Sequence, residues 1–157
     1  MFSFGSEVVI DRPAGEIGHV LGDFARYPEW TDMSESRQIG DGPVGVGTRG
    51  QGTIAAGPAR FGMTWEITDF DPQRVVAYRT ISKGALSLDG DYRLEPLGPT
   101  STRVTAKGVI RTRGVLRLLE PFLRSEIRRN EEGELGRLKA LLEDAAEAAP
   151  SLHTALP

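Results

Sequence analysis

One change of period governs this chain. Up to about position 113, apart from one helical stretch near 14–24, its apolar residues fall in runs that alternate at every second place; from Val115 to about Ala149 they recur every 3.6. Short alternating runs make half-buried strands, and the longer period makes an amphipathic helix. Phe2, Phe4, Val8 and Ile10 share one face of a first strand, with Ser3, Gly5, Glu7 and Asp11 on the other. Ile17, Val20, Leu21 and Phe24 follow at helical spacing, with Asp11 placed to cap this helix and Pro13 suited to its first turn. The helix should stop near Tyr27-Pro28, because a residue before proline resists the helical region. Positions 29–33 leave room for one more short turn. Alternation returns in runs at 48–55, 60–70, 75–82, 86–94 and 103–113.

Most of these runs are joined by short turn segments, so the strands should pair antiparallel. The order strand, helix, strands, helix makes an α+β domain with six to seven strands. The last helix is the one element long enough to cross such a sheet, with a kink or break expected at Pro121. A curved sheet gripping one helix leaves a natural ligand cavity between them. Placed 100° apart, Leu116, Leu119, Leu123, Ile127, Leu138, Leu141 and Ala145 form one stripe, with Asn130 and Glu134 in its middle. A carboxylate in a dry core is costly without a partner. Two placements therefore stay open for Asn130 and Glu134: the rim of the helix, or a polar cavity wall.

Several segments carry a resemblance. They are Phe24-Ala25-Arg26-Tyr27-Pro28-Glu29-Trp30, Gly45-Val46-Gly47-Thr48, and Trp65-Glu66-Ile67-Thr68-Asp69-Phe70-Asp71-Pro72 with Tyr78-Arg79. Arg128-Arg129-Asn130 leading to Leu135-Gly136-Arg137-Leu138-Lys139 completes the set. With the order of elements, they resemble the START-like, helix-grip (SRPBCC) superfamily, and within it the polyketide cyclase/dehydrase-like group. The resemblance implies a helix-grip fold: a curved antiparallel sheet wrapped around a long C-terminal helix. The resemblance runs from about residue 2 to 145; the chain's length fits one domain, over 1–149, and positions 150–157 should form a flexible tail. The superfamily holds lipid carriers, hormone binders, aromatic-polyketide cyclases and oxygenase domains, and shares no single catalytic motif that transfers to this chain.

Composition removes several functions. Lys and Arg number 19 against 22 Asp and Glu, a formal charge of −3, which argues against a uniformly basic nucleic-acid binder. With no cysteine there is no thiolate chemistry, and the chain suits a reducing cytoplasm. The two histidines, His19 and His153, are too few for most histidine metal sites, and no metal or cofactor is expected. No run approaches the ~18 apolar residues of a membrane span, and the N-terminus lacks the pattern of a secretory signal. Gly45-Val46-Gly47-Thr48-Arg49-Gly50 matches G-x-G-x-x-G, but strand pattern follows it where a dinucleotide site needs a helix. Asp89 and Asp91 share a strand face opposite Leu86, Leu88, Tyr92 and Leu94, which places them in solvent.

The candidate ligand-binding residues are those on inferred inward faces. Phe61, Met63, Trp65, Tyr78, Leu88 and Tyr92 offer aromatic and apolar surface with polar tips. Gly108 and Ile110 belong to a strand whose small residues leave space, and Trp30 is placed at an entrance. Phe122, Ile127, Asn130 and Glu134 come from the last helix. The first reading is a binder of a small hydrophobic or aromatic ligand, lipid-, polyketide- or steroid-like. The second is a cyclase or dehydratase using the same cavity, with Glu134 as acid/base. The third rests on charge. Positions 103–129 carry eight Lys and Arg against two Glu, net +6. Such a basic amphipathic segment suits a partner protein or transient contact with a membrane surface.

Overall fold

Six strands lie where alternation places them, and a seventh stands where the sequence shows no alternation. A computed structural model describes residues 1–56 and 58–154; at 56, 130–132 and 146–154 it describes the backbone but not the side chains. The described strands are β1 (Phe2–Ile10), β2 (Met33–Ile39), β3 (Arg49–Ala56), β4 (Ala59–Asp71), β5 (Val75–Thr80), β6 (Leu86–Gly98) and β7 (Ser101–Thr112). They form one antiparallel sheet in the order β1-β7-β6-β5-β4-β3-β2. β2 carries the sequence Met-Ser-Glu-Ser-Arg-Gln-Ile and lies at an edge, half exposed. Its few apolar residues explain why periodicity does not announce it. Register shifts in β2 after Met33, in β4 between Ile67 and Asp69, and in β6 between Pro96 and Gly98 add bend and twist. The shift at Thr68 lets Ile67 and Phe70 both turn inward despite their odd spacing.

The helices are α1 (Ala14–Leu21), α2 (Tyr27–Trp30) and α3 (Glu120–Thr154), with 3-10 turns at Phe24–Arg26 and Gly114–Leu119. Two local expectations change. Pro13 itself occupies the N-cap of α1, with no side-chain cap, and Asp11 instead gives its backbone N–H to Glu143 Oε1 at 3.0 Å. Pro28 sits inside the first turn of α2, where a missing N–H costs nothing, so the chain turns helical there rather than stopping. Pro121 plays the same part at the start of α3, and the break expected there is the change from 3-10 to α geometry.

α3 runs along β1 and is fixed to it at both ends of that strand. The Met1 ammonium meets Glu120 Oε1 at 2.9 Å, and Asp11 meets Glu143. Lys139 Nζ also donates to the Val9 carbonyl at 2.8 Å. The lengths agree: nine strand residues span about 30 Å, and the rise from Glu120 to Glu143 is about 34 Å. On its other side α3 touches α2 and β3, so the curved sheet holds the helix between its two margins.

The buried face of α3 is Leu123, Ile127, Glu134, Leu135, Leu138 and Leu142. The expected stripe is therefore rotated. Leu119 lies outside the α-helical phase and is 51% exposed, Leu141 is half-buried, Ala145 is exposed, and Leu135 and Leu142 take their places. Two core clusters result. The larger joins Ile10, α1, Phe24, Trp30, the middle of the sheet and Leu135, Leu138 and Leu142. The smaller joins Phe2, Phe4, Leu86, Ile110, Leu123 and Ile127. Positions 150–157, expected as a tail, lie outside the residues whose side chains are described.

Candidate functional site

Aromatic rings converge where α2 meets the concave face of the sheet. Trp65 projects from β4 over a strip of β3 that has no side chains. A Cβ on Gly50 would lie 2.3 Å from Trp65 Cε2, so the indole needs glycine there. Trp65 stacks on Tyr27 with ring centres 6.1 Å apart, and Phe24 meets its edge at 5.4 Å. Tyr27 in turn meets Trp30 at 5.4 Å, Trp30 meets Tyr92 at 5.8 Å, and Tyr92 meets Tyr78 at 6.0 Å. Edge-to-face and offset contacts at these separations are favourable beyond their buried area. The six rings form one continuous network and fill most of the hollow that a curved sheet would leave.

What remains is a cavity of about 60 Å³ lined by Tyr27, Thr31, Met33, Ile54, Met63, Trp65, Tyr78, Thr80, Leu88, Tyr92 and Glu134. At ~30 Å³ per molecule this is room for a few waters, against the ~300 Å³ or more of a drug-sized pocket. Its wall is apolar with polar tips. Glu134 is 8% exposed, and Asp32 gives its backbone N–H to Glu134 Oε1 at 3.3 Å. The Tyr27 hydroxyl donates to the Leu21 carbonyl at 2.5 Å. Burial, with the charges of Asp23 and Glu134, pushes the Tyr27 phenol above the ordinary tyrosine range, so it stays a donor. A carboxylate beside phenols and indoles can accept a hydrogen bond from a hydroxyl-bearing guest, or hold and release a proton. A larger hollow of about 970 Å³ lies open to solvent and is mostly polar and charged in lining, with Ser3, Arg79, Asp89, Asp91, Lys107 and Arg128 beside Phe4 and Tyr78.

Residues 1–143 match the family model described as polyketide cyclase/dehydrase and lipid transport. The chain belongs to this family. Its fold is shared with the Zhui aromatase/cyclase of a Streptomyces species, at TM-score 0.79 and 20% identity, covering 94% of this chain and 97% of that one. A Thermus thermophilus protein gives TM-score 0.77 at 17% identity, covering 92% and 99%. A START superfamily protein from Mycobacterium smegmatis gives 0.65 at 14%, covering 88% and 98%. No curated protein matches by sequence.

In this member of the polyketide cyclase/dehydrase family, the structure brings six of the expected residues to one cavity: Met63, Trp65, Tyr78, Leu88, Tyr92 and Glu134. Of the two placements left open for Glu134, it occupies the cavity wall; the side chain of Asn130 lies outside the described residues. Trp30 is fully buried behind Tyr27 and Tyr92, not at an entrance. Phe61, Ile110 and Ile127 pack in the smaller core cluster, and Gly108 faces the Phe4 ring. Phe122 is 54% exposed and points away from the interior. Asp89 keeps to the solvent side, where its carboxylate takes hydrogen bonds from Arg111 and from the Thr80 backbone. The sequence reading missed Tyr27, Thr31, Met33, Ile54 and Thr80. Thr80 was within reach, since it shares parity with Val76 and Tyr78; Thr31 and Met33 belong to a junction without period. Among the described residues no cluster of metal-ligating side chains occurs, and no helix is long and apolar enough to cross a membrane.

Proposed function

We propose that the protein binds a small hydrophobic or aromatic molecule carrying a hydroxyl group, held between the sheet and α3 with Glu134 as its polar anchor. The observation that carries this reading is the buried Glu134 carboxylate in a wall made otherwise of uncharged side chains: rings, apolar chains and the two threonines Thr31 and Thr80. Family membership supports a hydrophobic ligand or its cyclisation. A guest larger than a few waters must displace side chains, and half-buried Tyr78, Leu88, Met33 and Ile54 are the lining residues with most freedom to shift. Burial of guest surface at ~25 cal/mol/Å² supplies affinity, and the carboxylate supplies orientation.

A second reading is favoured by the same carboxylate. A cyclase or dehydratase needs an acid/base beside a bound carbonyl and a donor to polarise it; Glu134 and a tyrosine of the lining supply both. The fold likeness to an aromatase/cyclase agrees with this use of the cavity.

Native mass spectrometry of freshly purified protein and fluorescence titration with 2-naphthol test the proposal together. Leu88→Trp, which fills the cavity, should abolish naphthol binding. Glu134→Gln should weaken it about tenfold, the cost of one charge-assisted hydrogen bond. If instead Glu134→Gln keeps affinity and stops turnover of a poly-β-keto substrate, the enzymatic reading stands. Naphthol binding that Leu88→Trp leaves intact would remove the cavity from both.

A further inference from the structure

Before and at the start of α3 the chain turns large apolar residues outward. Val115 is 77% exposed, Leu118 82%, Leu119 51% and Phe122 54%. Met1, also exposed, is held at the same corner through its ammonium on Glu120. Leu116 and Leu123, from the same stretch, pack inward on the smaller core cluster. The outward set is therefore a choice of face, and contiguous exposed apolar surface of this kind marks a contact site.

Arginines ring it. Arg113, Arg117, Arg124, Arg128 and Arg129 are all exposed. Arg124, Arg128 and Arg129 share one face of α3 with Pro121 and Ser125, bordering a surface cleft of about 330 Å³. The two acids of this stretch are already engaged: Glu120 with Met1, Thr112 and Arg124, and Glu126 with Arg129. Positions 113–129 carry five Arg against two Glu, net +3, while the rest of the chain carries −6. That asymmetry turns this corner toward a negatively charged surface.

We propose that this corner, residues 113–129, docks on an anionic phospholipid surface. Val115, Leu118, Leu119 and Phe122 enter the interfacial layer, and the arginines meet the headgroup phosphates. The side chains project rather than line a groove, which suits a fluid layer better than a folded protein. Apolar insertion and basic attraction are the two signals that peripheral attachment requires. The inference stands on this surface alone and does not need an occupied cavity.

Cosedimentation of the whole protein with vesicles tests it. Equal parts phosphatidylcholine and phosphatidylglycerol should bind it about tenfold or more better than phosphatidylcholine alone, and added salt should weaken that binding. Arg117→Glu with Arg128→Glu should erase the anionic preference. Leu118→Ser with Phe122→Ser should weaken binding to mixed vesicles about tenfold at unchanged melting temperature. Failure to bind mixed vesicles, equal binding to both compositions, or variants that bind like the parent would overturn the proposal. Self-association in sedimentation velocity, lost in Leu118→Ser with Phe122→Ser and unaccompanied by vesicle binding, would overturn it in favour of a second copy of the chain.

Discussion

The two halves of α3 are built differently, although one helix carries both. From Glu134 to Leu142 it presents Leu135, Leu138 and Leu142 to the larger core, which also receives α1, Trp30 and the middle of the sheet. From Glu120 to Arg129 it buries two aliphatic side chains, Leu123 and Ile127, in the smaller cluster, and leaves Phe122 in solvent. The 134–142 stretch is anchored by the larger core, with Lys139 and Glu143 tied to the end of β1 as well; the 120–129 stretch has two buried aliphatic side chains and the Glu120–Met1 pair. A helix that is firmly held at one end and lightly at the other can carry a surface function at the light end without endangering the fold.

Truncation should expose this difference most strongly. Leu138 is fully buried and Leu123 is 3% exposed, so burial alone predicts equal costs. The surroundings differ, and the cost of a cavity grows with how little the site can collapse around it. Leu138→Ala should cost about 4 kcal/mol and Leu123→Ala about 2 kcal/mol, read from urea unfolding midpoints. Equal costs would mean that the two halves are equally well packed and that the contrast is only one of exposure.

A smaller effect should come from the two carboxylates that fix α3 to β1, and here the halves should behave alike. Hydrogen bonds from the N-terminal ammonium and the Thr112 hydroxyl, helped by Arg124, hold Glu120 below the usual carboxylate range. Hydrogen bonds from Lys139 and the Asp11 backbone do the same for Glu143. A carboxylate whose folded pKa lies below its unfolded value near 4.5 adds stability that is complete above that value. That stability is lost as pH falls from there through the lower folded pKa. Urea midpoints followed from neutral to acid pH should therefore decline in this window. Glu120→Gln and Glu143→Gln should each flatten the decline. A decline that neither substitution changes would place the acid-sensitive groups elsewhere.

The contrast between the halves also explains what could be read in advance. Strands β1, β4, β6 and β7 alternate because one face meets the core, and that alternation is visible in the residues. β2 is hidden because an edge strand with both faces half wet needs no alternation, and Ser34, Glu35, Ser36 and Arg37 satisfy it. The helix stripe was partly misphased. Leu119 precedes Pro121 in 3-10 geometry and drops out of it, while beyond Glu134 the buried face turns to Leu135 and Leu142, about 100° or more around the helix from Leu123. At the site, β4, β5 and β6 supplied Met63, Trp65, Tyr78, Leu88 and Tyr92 because inward parity is a local property. The size of the cavity was not local. It depends on Phe24, Tyr27 and Trp30 folding over Trp65 and Tyr92, and no spacing in the sequence records that contact.

The smallest expected effect is the most discriminating for the light end of α3. Val115 and Leu116 are neighbours in the 3-10 turn, yet Val115 is 77% exposed while Leu116 packs on the smaller core cluster. Val115→Ser should therefore change stability by no more than about 0.5 kcal/mol, within the usual range for an exposed site. Leu116→Ser removes half-buried apolar area and should cost about 1 kcal/mol. Thermal unfolding of the two variants beside the parent measures both. If Val115→Ser is the costlier of the pair, the exposed apolar set is part of how the corner folds, and its outward orientation no longer speaks for a docking surface. If the order holds, the turn keeps one leucine for the core and its neighbour is spared any structural duty, as a surface contact requires.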